Sequence, residues 1–220
     1  MTTTEFLIVR HGETPWNVDR RIQGWKDIEL NELGRLQADR LGAHLTHPTA
    51  PHGSVHAIYS SDLLRAKQTA DSLARALGLS LSTVQGVRER NYGVLEGIAF
   101  DQMHEHYPEV AKVWASRELD GIIPEGETLR QFRERVTTTI ESLASKHPGQ
   151  RVIVVTHGGA MDIIWREATG TDMQAPRKAP LLNASVNRIE LAVSQTGFAW
   201  SLVQWGNVDH LTSSGNDVTP

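Results

Sequence analysis

FLIVRHGETPWN, residues 6 to 17, is the stretch on which the reading of this chain turns. Phe6 to Val9 form an unbroken apolar run, the pattern of a short strand buried on both faces, and the strand predicted here covers 5–10. It ends abruptly on Arg10, His11 and Gly12. An arginine and a histidine side by side at a strand tip are costly to bury, so the tip is either a plain solvated corner or a site that wants positive charge.

A second segment repeats the arrangement. VIVVTHGG, beginning at Val152, reads as a strand over 152–156 followed directly by His157 and Gly158. Between the two strands the chain alternates helical and strand patterns. NELGRLQADRLGAHL opens at Asn31 as a cap and spaces Leu33, Leu41 and Leu45 for one face. HAIYSSDLLRAKQTADSLARALG reads as strand, turn and helix, with Ser61 as the cap and Gly78 as the stop. A strand is predicted over 83–88, helices over 100–116, 129–146 and 160–168, and a closing hairpin from VNRIELAV and FAWSLVQW through 195–197. The predicted fold class is α/β, a three-layer α/β/α sandwich with a mostly parallel central sheet and helices on both faces.

At 220 residues, the length suits one domain, placed at 1–211, with the tail 212–220 expected to be disordered. The loop HPTAPHGSVH is expected to be exposed. A formal net charge of −4 offers no footprint for nucleic acid or an anionic membrane, so a bound phosphate would need a local cationic cluster. MTTTEFLIVRHG lacks the basic and apolar regions of a secretory signal and no apolar run has the length of a membrane span, so the expected location is cytoplasmic. With no cysteine, a thiolate nucleophile or thiolate metal site is excluded.

In parallel α/β sheets, ligands bind beyond the carboxyl ends of the strands, where both His11 and His157 fall. Arg10 joins them from the same turn, and Arg65 from the first turns of the helix after AIYSSD. Two guanidiniums and two imidazoles on one point make a receptor for a tetrahedral dianion, since arginine offers forked donors to phosphate oxygens. Glycine after each histidine, Gly12 and Gly158, lets the backbone approach closely. A histidine among fixed cations stays neutral, with a lone pair to attack phosphorus, and His11 is the candidate nucleophile. Arg10, Arg65 and His157 suit the charge of the transition state. Glu89, in VRERNYGVLEG, is the best carboxylic acid to protonate the leaving alkoxide and then to activate water, with Glu96 as its rival.

LIVRHGETPWN, RIQGWKDIELNELGRLQA, YSSDLLRAKQTA, RERNYGVLEG, IPEGETLRQFRERV and VVTHGG together resemble the histidine phosphatase superfamily, the phosphoglycerate mutase-like enzymes, over nearly the whole chain. The resemblance implies a phosphohistidine at His11, phosphate contacts from Arg10, Asn17, Arg65 and His157, proton transfer by Glu89, substrate bordered by Gln23 and Gly24, and neither metal nor cofactor. Mutases of this family carry a lysine just after the glutamate block and paired arginines further on that grip the substrate carboxylate. Here Ala99 and Phe100 stand at the first place and Ala115 and Ser116 at the second. An apolar lid of Phe100, Met103, Tyr107 and Trp114 would cover a larger or less acidic organic group, which favours a metal-independent phosphomonoesterase over a mutase.

The expected partner is a small-molecule phosphate ester, without nucleic acid or membrane, and a homodimer is compatible with the chain. The competing readings are a phosphoglycerate mutase, a non-catalytic module binding a phosphate ester or phosphoprotein, and a metal-dependent hydrolase using His11 and His157. His104, Glu105 and His106 lack the one-turn histidine spacing of a metalloprotease and read as a solvated helix face.

Overall fold

The computed structural model describes residues 2–47 and 53–212. Its centre is one six-stranded sheet in the order β3-β2-β4-β1-β5-β6. The strands are β1 (Thr2–Arg10), β2 (Ala57–Ser60), β3 (Leu81–Thr83), β4 (Arg151–Thr156), β5 (Val186–Ser194) and β6 (Gly197–Asn207). β1, β2, β3 and β4 run parallel, while β5 and β6 add an antiparallel hairpin beside β1. Helices α2 (Glu32–Thr46) and α3 (Leu64–Leu77) cover one face, and α6 (Leu129–Lys146) and α7 (Gly158–Thr169) the other. Short helices α1 (Pro15–Val18), α4 (Met103–His106), α5 (Pro108–Ser116) and α8 (Asp209–Thr212) complete the chain.

The alternation of side chains along β1 explains the layers. Phe6 and Ile8 enter the core under α6 and α7, whereas Leu7 and Val9 enter the core under α2 and α3. All four are fully buried, each contributing about 1.5–3 kcal/mol of transfer free energy. A third, smaller core of Ile22, Leu95, Met103, Ala111 and Ile123 supports the segment above the sheet. No helix among the described residues is long and apolar enough to cross a membrane.

Register sets the site. Arg10 lies opposite Thr156 in the β1–β4 ladder, so the two His-Gly turns leave the sheet side by side.

Several local expectations need correction. Leu41 and Leu45 are buried, but Leu33 is 46 % exposed, because at 3.6 residues per turn it falls about 80° and 120° around the helix from them, while the buried face is that of Gly34, Ala38, Leu41, Gly42 and Leu45. Ser61 does not cap α3; its Oγ accepts from Leu63 N at 3.2 Å, and the Leu64 amide donates instead to Asp27 Oδ1 at 2.5 Å. The strand expected over 83–88 is β3, earlier and shorter, and 85–87 form a 3₁₀ turn. The single helix expected over 100–116 is broken into α4 and α5 at Tyr107, as a residue before proline is steered away from the helical region. His104, Glu105 and His106 are exposed on α4. The tail assigned to 212–220 lies beyond the described residues except for Thr212, as does 48–52 of the loop expected to be exposed.

Candidate active site

Above the carboxyl ends of β1 and β4 lies a cavity of about 350 Å³ lined by Arg10, His11, Asn17, Gln23, Gly24, Arg65, Glu89 and Gly158. His157 closes in beside them, its ring centroid 5.2 Å from that of His11. The sequence-based candidates therefore converge.

His11 Nδ1 stands 2.7 Å from the Gly12 carbonyl, which can only accept, so Nδ1 carries the proton and the Nε2 lone pair is free. Burial, with Arg65 and Arg10 nearby, pushes the His11 imidazole well below the ordinary histidine range. The same burial and the charges of Arg65, His11 and Arg10 do likewise for His157, and neither of its buried ring nitrogens has a hydrogen-bond partner among the described residues.

The arginines are held from behind. Arg65, 1 % exposed on α3, donates through Nη1 to Lys26 O at 3.0 Å and through Nη2 to Gly24 O at 2.8 Å. Gly24 adopts φ +50° there, and a Cβ would overlap Glu96 Oε1 at 2.0 Å. Arg10 donates through Nη1 to the Leu181 carbonyl. Burial brings each guanidinium down to about 10, still charged at neutral pH, while Glu89 opposes the shift. The buried Nε atoms of both arginines and Oε1 of Gln23 have no hydrogen-bond partner among the described residues. The orphaned arginine Nε–H groups and the one N–H of the neutral His157 ring fit an oxyanion that would accept from them, whereas Gln23 Oε1 can only accept.

Glu89 Oε1 accepts from Arg90 N at 2.8 Å and Oε2 from Gly159 N at 2.9 Å, leaving each oxygen a further lone pair. Its rival Glu96 lies outside the cavity lining, with Oε1 accepting from Trp25 N and Tyr92 N. Asn17 Oδ1 accepts from Thr14 N at 3.1 Å in a capping box, so its amide nitrogen is the end it can offer a ligand.

The glycines act differently from the expectation. Gly12 admits α2 rather than a ligand, since a Cβ would lie 2.4 Å from Gly34 O. At Gly158 a Cβ would make ordinary 3.5 Å contact with Arg10 Nε, but at Gly159 it would meet Glu89 Oε1 at 2.0 Å. The apolar lid is also reduced: Phe100 and Trp114 line the cavity, while Met103 is buried in the third core with Tyr107 packed against it.

The profile of the histidine phosphatase superfamily (branch 1) matches residues 6–208. The chain belongs to that superfamily. It is 39 % identical over 214 residues to the metal-independent phosphoserine phosphatase of Arabidopsis thaliana, spanning 96 % of this chain and 85 % of that one. It is 38 % identical over 213 residues to phosphoglycerate mutase-like protein 4 of the same plant, spanning 96 % and 88 %. A mycobacterial glucosyl-3-phosphoglycerate phosphatase solved in complex with VO3 shares the fold with a TM-score of 0.77 and 26 % identity, over 93 % of this chain and 99 % of that one.

In this histidine phosphatase superfamily member the structure adds residues that sequence reasoning missed. Tyr92, Arg21 and Arg177 line the cavity. Trp25 donates through Nε1 to Glu89 O at 2.8 Å, beneath the guanidinium of Arg88. Asn183 staples the His11 turn by donating from Nδ2 to His11 O at 3.0 Å. The QGW triplet was a legible signal for Trp25; Arg177 and Asn183 stand in a loop with no periodicity to mark them.

Proposed function

We propose that the chain is a phosphomonoesterase that passes the phosphoryl group through His11. The observation that carries this reading is the His11 tautomer: Nδ1–H is bound to the Gly12 carbonyl, so Nε2 is a neutral nucleophile within a cationic pocket.

Arg10, Arg65 and His157 would hold the phosphate oxygens, with Asn17, Gln23, Gly24 and Gly158 at the border of the pocket. Nε2 of His11 attacks phosphorus as the ester P–O bond breaks, and protonated Glu89 gives its proton to the departing alkoxide. The carboxylate so formed takes a proton from water, whose oxygen attacks the phosphohistidine, releasing inorganic phosphate and restoring His11. The fixed guanidiniums meet charge on the equatorial oxygens without reorganising.

A mutase must keep water from the phosphoenzyme until the phosphate returns to a second hydroxyl. The exposed side chains of Arg21 and Phe100 rim this cavity, a mouth that favours hydrolysis. Phosphorus NMR of the protein in EDTA with phosphoglycerate, a trace of bisphosphoglycerate and other phosphomonoesters tests the reading. Inorganic phosphate is the expected product; isomeric phosphoglycerate without free phosphate would replace the phosphatase with a mutase.

A further inference from the structure

The arginines of α6 differ in what they hold. Arg130 makes an exposed ion pair with Asp120, and Arg133 pairs with Glu167 on α7. Arg135, 21 % exposed at its side chain, directs every nitrogen of its guanidinium at Glu127 and at the segment that carries Glu89. Its Nη1 donates to Gly86 O at 3.0 Å, Arg88 O at 3.2 Å and Gln85 O at 3.3 Å, and its Nη2 donates to Glu89 O at 3.1 Å. Nη2 and Nε also donate to Oε2 and Oε1 of Glu127 at 2.7 and 2.8 Å, a forked pair.

The same carboxylate closes the grip on the far side of Glu89, where Glu127 Oε2 accepts from Asn91 N at 2.9 Å. One ion pair thus holds the chain on both sides of the acid. Thr156 Oγ1 donates to Val87 O at 2.7 Å, which ties this segment to the strand end that delivers His157. Residues 88–92 belong to no helix or strand that would satisfy their main-chain groups, and a carbonyl left unmade there is costly. A planar fork with five donors reaches four carbonyls and a carboxylate at once, whereas the ammonium of lysine offers three donors on a single atom. The guanidinium also lies over the rings of Phe132 and Trp25, 5.2 and 5.9 Å from their centroids.

We propose that Arg135 is the positioning residue for Glu89, holding the carboxyl where it can give its proton to the departing alkoxide. This rests on the phosphatase reading. Arg135 does not line the phosphate cavity, so it acts through the segment it grips and not on the substrate. A shift of that segment moves the Glu89 oxygens relative to Gly159 N on α7 while leaving Arg10, Arg65 and His157 in place around the phosphate. Loss of the fork should therefore impair proton delivery and spare phosphate binding. The defect then depends on the leaving group: an alkoxide is a strong base that needs the proton, whereas p-nitrophenolate is a weak base that leaves without it. Arg135→Lys keeps the positive charge that His157 senses and removes only the fork.

The test compares p-nitrophenyl phosphate with alkyl esters such as 3-phosphoglycerate and glycerol 3-phosphate, reading kcat/KM, which covers the departure of the alcohol. Arg135→Lys should lower kcat/KM by at least about tenfold on the alkyl esters and by less than about twofold on p-nitrophenyl phosphate. In a Glu89→Gln background the same substitution should add less than about twofold to the loss on the alkyl esters, since both changes act through one carboxyl. The amide proton of Gly159, which donates to Glu89 Oε2, should move upfield in the NMR spectrum of Arg135→Lys. Equal losses on the two kinds of ester, an undiminished loss in the Glu89→Gln background, or an unmoved Gly159 amide overturns the inference. If Arg135→Lys does not fold, Glu127→Gln, which leaves the fork one oxygen, should shift the ester ratio and the Gly159 amide in the same directions, and no shift in either overturns it. If the wild type hydrolyses no alkyl ester, the Gly159 amide alone decides the role of Arg135: a displaced resonance supports it, and an unmoved one overturns it. If p-nitrophenyl phosphate also goes unhydrolysed, the phosphatase reading itself has failed.

Discussion

Glu89 Oε2 accepts the backbone N–H of Gly159 at 2.9 Å, and a Cβ on Gly159 would lie 2.0 Å from the other oxygen of the same carboxylate. The helix that begins after His157 therefore fixes both the imidazole and the acid opposite it.

Gly159→Ala should displace Glu89 and lower kcat by about 10²-fold, the low end of what a positioned general acid contributes. Gly158→Ala, which meets Arg10 Nε only at 3.5 Å, should cost within a few-fold. Steady-state kinetics of the two variants on one ester decide it; equal losses would mean that the second glycine has no special bearing on Glu89.

Trp25 holds Glu89 from the backbone side, with its Nε1–H on Glu89 O and its ring under Arg88 at 4.7 Å. Trp25→Phe removes the donor and leaves Arg135 Nη2, at 3.1 Å, on that carbonyl. Stability should fall by about 1 kcal/mol, a drop in Tm of about 2–4 °C for a chain of this size, with kcat falling more than KM rises. Thermal unfolding and kinetics of the variant measure both.

Asp27 caps a helix from 37 positions away, accepting the Leu64 amide at 2.5 Å one residue before Arg65. Asp27→Ala should cost about 1 kcal/mol by denaturant unfolding, as for other lost N-caps, and raise KM by loosening Arg65. Asp27→Asn, which keeps an accepting oxygen, should recover most of the stability.

The buried imidazoles set a pH dependence. In the unfolded chain His11 and His157 titrate near 6.5, but in the folded protein burial and the neighbouring arginines hold both well below that value. Below pH 6.5 the unfolded state binds more protons than the folded one. The stability tied to their neutrality is therefore complete above pH 6.5 and is lost as pH falls toward the folded values, by up to about 1.4 kcal/mol per pH unit for each residue. Urea unfolding from pH 7 to 5 should show this slope, and His11→Asn and His157→Asn should each flatten it. An unchanged slope in the double variant would show that other groups are responsible.

Much of this was legible because strand, turn and charge coincide in sequence. FLIVRHG and VIVVTHGG announce buried parallel strands whose tips carry the histidines, and α6 is met residue for residue at Leu129 and Lys146. What stayed hidden depends on contacts remote in sequence. The capping of α3 by Asp27, the seating of Gly159 against Glu89, and the Asp162 arginine cluster arise from packing, which leaves no periodic trace. Leu33 misled for a different reason: 3.6 residues per turn set it on the flank of α2, well aside from the face that Gly34, Ala38, Leu41 and Leu45 bury. The apolar residues of 100–116 pointed to a greasy lid, yet the Tyr107–Pro108 break directs Met103 into its own small core and leaves Phe100 and Trp114 at the cavity.

The central claim is that phosphate passes through Nε2 of His11. Wild-type protein and His11→Ala should be mixed with a phosphate-labelled ester, quenched in base within the first turnovers, and digested for mass spectrometry. The account predicts an acid-labile, base-stable phosphoryl group on the peptide containing His11, formed and consumed at rates that support turnover and absent from the inactive variant. A His11→Ala protein that hydrolyses the ester at the wild-type rate would contradict it.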